Sequence, residues 1–80
     1  GGRNPVNQAH LRKAFERFLR TRDLKFTTQR ARIFDRAFGT HEHFTAERLY
    51  RWLEAEEGPA VSRATVYRTL SLLVEGRFLE

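Results

Sequence analysis

A mainly α fold is predicted, with four helices, the last two forming a helix-turn-helix, and a wing that is truncated or only begun after them. Three observations predict it. Four segments repeat apolar residues at helical spacing, and a Gly58-Pro59 break separates the third segment from the fourth. The fourth also carries, opposite its apolar stripe, a face of hydroxyl, phenol and guanidinium groups. Eighty residues make one domain, and at that size folding buries only roughly 60% of the unfolded chain's surface. Seven Phe, one Trp and two Tyr enlarge an otherwise small core.

Residues 1–6, opening on Gly1-Gly2, read as an added or disordered lead, and 7–80 as the domain. Pro5 and Asn7 suit the opening of a first helix. Within it Leu11, Ala14, Phe15, Phe18 and Leu19 share one face, and Arg12, Lys13, Glu16, Arg17 and Arg20 fill the other. The link 21–26 breaks that period. Thr27, with Thr28 as the alternative, caps a second helix whose stripe is Ala31, Ile33, Phe34, Ala37 and Phe38, and Gly39 ends it. After the polar connector Thr40-His41-Glu42-His43, Phe44 and Leu49 stand on either side of the cap Thr45 with the spacing of a hydrophobic staple. Ala46, Leu49, Tyr50 and Leu53 line the third helix, and Trp52 on its flank reads as a core or inter-helix contact.

Gly58-Pro59 forbids continuation of that helix. Ser62 caps the fourth, Val61 and Val66 repeat the staple spacing, and Gly76 supplies the stop. Val66, Leu70, Leu73 and Val74 fall on one side, Ala64, Arg68, Ser71 and Glu75 on the other, with Thr65 and Tyr67 flanking the outer face. Ala and Ser permit close approach and Arg can fork onto a guanine edge, so the outer face suits a DNA major groove. An ordinary solvated helix face is the alternative that this helix alone leaves open. The tail Arg77-Phe78-Leu79-Glu80 alternates polar and apolar residues as the first strand of a wing would. A lone strand has no partner, so the chain reads as a fragment of a longer protein.

The charge is unevenly spread. Residues 1–38 hold ten Lys/Arg against three Asp/Glu, whereas residues 39–80 hold five against seven. A basic half fits nucleic acid or an anionic surface. Without a run of about 18 apolar residues or a leader-like segment, the chain reads as a soluble, cytoplasmic protein with no membrane partner. There is no Cys, no Gly-rich phosphate loop and no nucleophile arrangement, so no reaction and no small-molecule substrate are expected. His10 reads as a solvated helix residue; His41 and His43 are two ligands at most, short of the three or four a tight site needs. A protein-binding module or an RNA or single-strand binder are the other classes. The first would expose more apolar area, and the second would put aromatics on an open platform rather than at core spacings.

Three motifs in order carry a resemblance. Leu24-Lys25-Phe26-Thr27 with Gln29-Arg30, then His43-Phe44-Thr45-Ala46-Glu47-Arg48-Leu49-Tyr50, then Ala64-Thr65-Val66-Tyr67-Arg68-Thr69-Leu70 resemble the amino-terminal DNA-binding domain of the ferric uptake regulator family, over about residues 8–80. The resemblance implies the operator-reading, winged-helix half of a metal-responsive bacterial transcriptional repressor, with a carboxy-terminal dimerisation and metal domain absent here. It implies a double-stranded DNA operator as partner and a homodimer of the full-length protein. Tyr67 and Arg68 would face bases, Lys25 an A·T-rich minor groove, and Ser62 and Thr65 phosphates; Arg30, Arg63 and Ser71 complete the DNA-binding set. His43 would be a partial metal ligand completed by the missing domain. No cofactor is expected in this chain alone, and a divalent metal (Fe, Zn or Mn) in the full-length protein. Thr28-Gln29 departs from the Pro or small residue of many relatives, which leaves the sensed signal open.

Overall fold

The computed structural model describes residues 5–79, with side chains from residue 8 onward. Its element order is α1 (Pro5–Thr21), α2 (Thr28–Phe38), α3 (Ala46–Ala55) and α4 (Arg63–Glu75). Residues 1–4 of the expected lead and Glu80 lie outside the described residues, while Pro5 and Val6 already belong to α1. Three helix starts follow one local rule. Thr27, Thr45 and Ser62 each hold extended backbone angles, and each hydroxyl accepts from the backbone N–H three residues on. Each thereby satisfies one of the donors a helix start leaves orphaned.

The expected stripes meet in one core. Phe15 and Leu19 come from α1, Ile33, Phe34, Ala37 and Phe38 from α2, Leu49 and Leu53 from α3, and Val66 and Leu73 from α4. Phe15 is its centre: its ring stacks on Phe34 at 5.7 Å and meets Phe26 and Phe78 edge-on at 6.0 and 5.4 Å. Phe44 packs edge-on against Trp52 at 5.9 Å, and the Arg36 guanidinium lies 4.3 Å over the indole, so Trp52 joins α2 to α3. Around this core α2, α3 and α4 pack pairwise.

Two expectations for α4 are corrected. Val74 does not join the buried stripe; it is 51% exposed, whereas Thr69 is fully buried. The inner face of α4 is centred on Val66, Thr69 and Leu73, which turns Val74 onto the same edge as Tyr67, seven residues before it. Hydrophobicity ranks Thr below Val. Position against α2 and α3 overrides that ranking.

The tail is also corrected. Among the described residues there is no strand, and residues 77–79 close α4 instead of leading away from it. Arg77 takes a left-handed conformation (φ 64°), its N–H donates to the Val74 carbonyl, and the Phe78 N–H reaches back to the Leu73 carbonyl at 2.8 Å. This is a Schellman closure with Arg in the place glycine usually takes. Gly76 is required for another reason: a Cβ there would stand 2.7 Å from the Phe78 ring, which sits against Phe15 and Phe18. α1 ends the same way, with Asp23 left-handed (φ 58°) and the Leu24 N–H bonded to the Leu19 carbonyl. Burial of Phe78 and Leu24 beside the core offsets the strain of two non-glycine left-handed residues.

The Thr69 hydroxyl is buried without a hydrogen-bond partner. Thr69→Val should therefore stabilise the domain by roughly 0.5–2 kcal/mol, because it removes an unsatisfied polar group and keeps the shape. Thermal unfolding should show a rise of several degrees. A fall in melting temperature would mean that the hydroxyl has a partner in solution.

Candidate nucleic-acid interface

The residues expected to touch DNA fall into two groups, one in the α1–α2 link and one on α4. In the link, the Lys25 side chain is exposed and makes no ion pair or hydrogen bond among the described residues. Its backbone carbonyl accepts from the Arg30 guanidinium at 2.7 Å, so Arg30 spans the start of α2 and holds the link in place. Arg30 is half-buried and already engaged, a different situation from the free ammonium of Lys25.

At the start of α4, three expected contact residues have structural duties. The Ser62 hydroxyl caps the helix by accepting from the Thr65 N–H at 3.1 Å and lies 2.7 Å from the Thr65 hydroxyl. Arg63 donates to Glu47 at 3.0 Å and lies 4.8 Å over the Tyr50 ring, which ties the first turn of α4 to α3. Glu47 was not legible as part of this site, because the pair spans 16 residues and leaves no local pattern. Further along α4, Tyr67, Arg68 and Ser71 are exposed together with Ala64. None of these side chains makes a hydrogen bond or ion pair among the described residues. Glu75, at the far end of this face, pairs with Arg22 at 2.5 Å and so anchors α4 to the end of α1.

The outer face thus has a braced start, a braced end and a middle of four free side chains. A phenol, a guanidinium and a hydroxyl over a small Ala can donate and accept along a groove without first breaking a protein contact. Lys13 and Arg17 on α1 are likewise exposed and free of ion pairs among the described residues, so the basic half keeps uncompensated charge.

His43 is exposed in the α2–α3 link. With His41 and Glu42 it forms one rim of an open cleft of about 670 Å³, whose other side includes Leu70, Val74 and Leu79. Among the described residues no group of three or more His, Cys, Asp or Glu side chains is placed to hold a metal ion. Among the described residues these donors do not make a complete metal site. Among the same residues, no helix is long and apolar enough to cross a membrane.

The model of the ferric uptake regulator family matches residues 21–80. A ferric uptake regulation protein of Campylobacter upsaliensis is 39% identical over 70 residues, which cover 86% of this chain and 45% of that protein. The ferric uptake regulation protein of Campylobacter jejuni matches at the same identity and coverage. The chain therefore spans less than half the length of the curated relatives it matches. No solved structure gives a significant match to it.

Proposed function

Because this chain belongs to the ferric uptake regulator family, we propose that it is the part of a metal-responsive transcriptional repressor that reads duplex DNA. α4 lies in the major groove. Tyr67, Arg68 and Ser71 meet base edges, Lys25 reaches the flanking minor groove, and Ser62, Arg63 and Thr65, with Arg30, set the backbone around them. The observation that carries this reading is the free middle of the outer face, since Arg68 and its neighbours have no structural duty on a helix braced at both ends. The parent protein acts as a cytoplasmic homodimer on a pseudo-palindromic operator, catalyses no reaction, and takes its regulatory divalent metal mainly from segments outside this chain. His43 contributes at most one ligand to that metal.

A protein-binding role has less support: the large exposed apolar side chains among the described residues are Tyr67 and Val74. A small apolar edge of that kind does not resemble an interface core. Titration against duplex DNA, single-stranded DNA and structured RNA at 50 and 200 mM salt separates the classes. A single copy of the chain engages one half-site, so duplex binding should be micromolar or weaker, and two to four phosphate contacts should cost it roughly tenfold to a hundredfold across that salt step. Tighter binding to single strands or RNA, or no salt dependence, would remove the duplex reading.

A further inference from the structure

The turn from Glu56 to Ser62 joins α3 to α4, yet the backbone does little to hold it. Among the described residues its backbone-to-backbone bonds are Glu56 N–H to the Leu53 carbonyl at its start and Val66 N–H to the Ser62 carbonyl at its end. Gly58 between them stands at φ +134°, an angle that side-chain-bearing residues rarely adopt. A chain of this composition would be expected to sample many paths between two helices.

What fills the gap comes from α2. The Arg32 guanidinium donates to the Pro59 carbonyl, and its second nitrogen lies 3.4 Å from the Leu53 carbonyl and 3.5 Å from the Glu57 carbonyl. Glu56 stands 3.7 Å from it and is itself held by Arg36 at 2.9 Å. The Arg32 side chain is only 15% exposed, so these contacts are partly shielded from water. A Cβ at Gly58 would come within 3.3 Å of the guanidinium, which packs flat against the bare backbone there. The planar fork reaches the last turn of α3 and two carbonyls of the connection at once, which a single ammonium could not do.

We infer that Arg32 is the positioning residue for α4: by clamping the α3–α4 turn it fixes where Ser62 starts the helix, and hence how Tyr67, Arg68 and Ser71 present to base edges. The inference rests on the proposed duplex reading, and Arg32 itself touches no DNA. Its hydrogen-bond acceptors are backbone carbonyls and the Glu56 carboxylate lies beside it, so its charge is engaged within the turn and it acts on discrimination between sequences rather than on attraction to phosphate.

The test compares wild type, Arg32→Met, Arg32→Lys and Lys13→Met. The probes are the tightest duplex that the wild-type chain recovers from a randomised 20-base-pair pool and a scrambled version of it, each across a salt series. Amide hydrogen exchange is measured in parallel at Glu56, Thr65 and Val66, whose N–H groups are bonded at the two ends of the turn. Arg32→Met should speed exchange in the turn about tenfold, as expected for losing charge-assisted bonds, and lower the selected-to-scrambled affinity ratio about tenfold with an unchanged salt slope. Arg32→Lys should recover less than half of the lost ratio, and Lys13→Met should leave the ratio alone. Equal weakening on both duplexes with a salt slope smaller by about one would make Arg32 a phosphate contact and overturn the proposal. So would an unchanged ratio. Should Arg32→Met fail to fold, Arg32→Lys carries the test, and wild-type discrimination in that variant overturns it. If wild type itself discriminates no duplex, the DNA reading fails. The exchange arm still decides separately whether Arg32 holds the turn.

Discussion

Phe15→Ala is expected to cost about 3–5 kcal/mol, the usual range for deleting a fully buried aromatic. An 80-residue domain has only about 4–12 kcal/mol to lose, so this one change should bring it to the edge of unfolding. Phe15 is fully buried, and its ring contacts Phe18, Phe26, Phe34 and Phe78. Those partners lie on α1, the α1–α2 link, α2 and the tail after α4, so the cavity would open where four parts of the chain meet. Denaturant unfolding followed by circular dichroism should show a midpoint far below wild type, and heating should show a melting temperature lower by roughly 15 °C or more. A loss under about 1.5 kcal/mol would show that the rings of Phe26 and Phe78 close over the space, and that the core does not depend on this centre.

Arg68→Ala should leave stability within about ±0.5 kcal/mol, since the side chain is exposed and makes no hydrogen bond, ion pair or ring contact among the described residues. Its expected effect is on recognition. If the guanidinium forks onto the O6 and N7 of a guanine, its removal costs about 1–3 kcal/mol of discrimination at one base position. Lys25→Ala should differ in kind, weakening binding to every sequence and reducing the salt slope by about one ion. Both variants would be measured on a selected duplex and its scramble across a salt series. Equal losses on the two duplexes for Arg68→Ala would confine Arg68 to phosphate and shift base reading to Tyr67 or Ser71.

The helices were legible because their signals are local. Thr27, Thr45 and Ser62 cap the N–H three residues on, a relation that a sequence displays directly. The apolar stripes of α1, α2 and α3 follow the helical period, and the resemblance to the family is carried by three runs of adjacent residues. The free outer face of α4 was legible for the same reason: Ala64, Arg68 and Ser71 stand opposite Val66 and Leu73 by helical geometry alone.

The remainder depended on distance along the chain. The burial of Thr69 and exposure of Val74 reflect how far α4 is rotated against α2 and α3, a choice made by complementary packing rather than by hydrophobicity rank. The tail alternates like a strand, but the apolar site beneath it, made by Phe15 and Phe18, rewards Phe78 for folding back over Gly76. The bracing of Arg63 by Glu47 and Tyr50 joins residues of different helices, which no local pattern marks. Arg32 looked like one more cation among ten in the basic half. Its hydrogen-bond acceptors are backbone carbonyls 21 to 27 residues away, the same at every position, so no residue type marks them, and the Glu56 carboxylate beside them is equally remote along the chain. Short-range caps and periods are written in side-chain identity, whereas the angle at which the outer face of α4 is presented depends on contacts that exist only once α2 has packed against the turn.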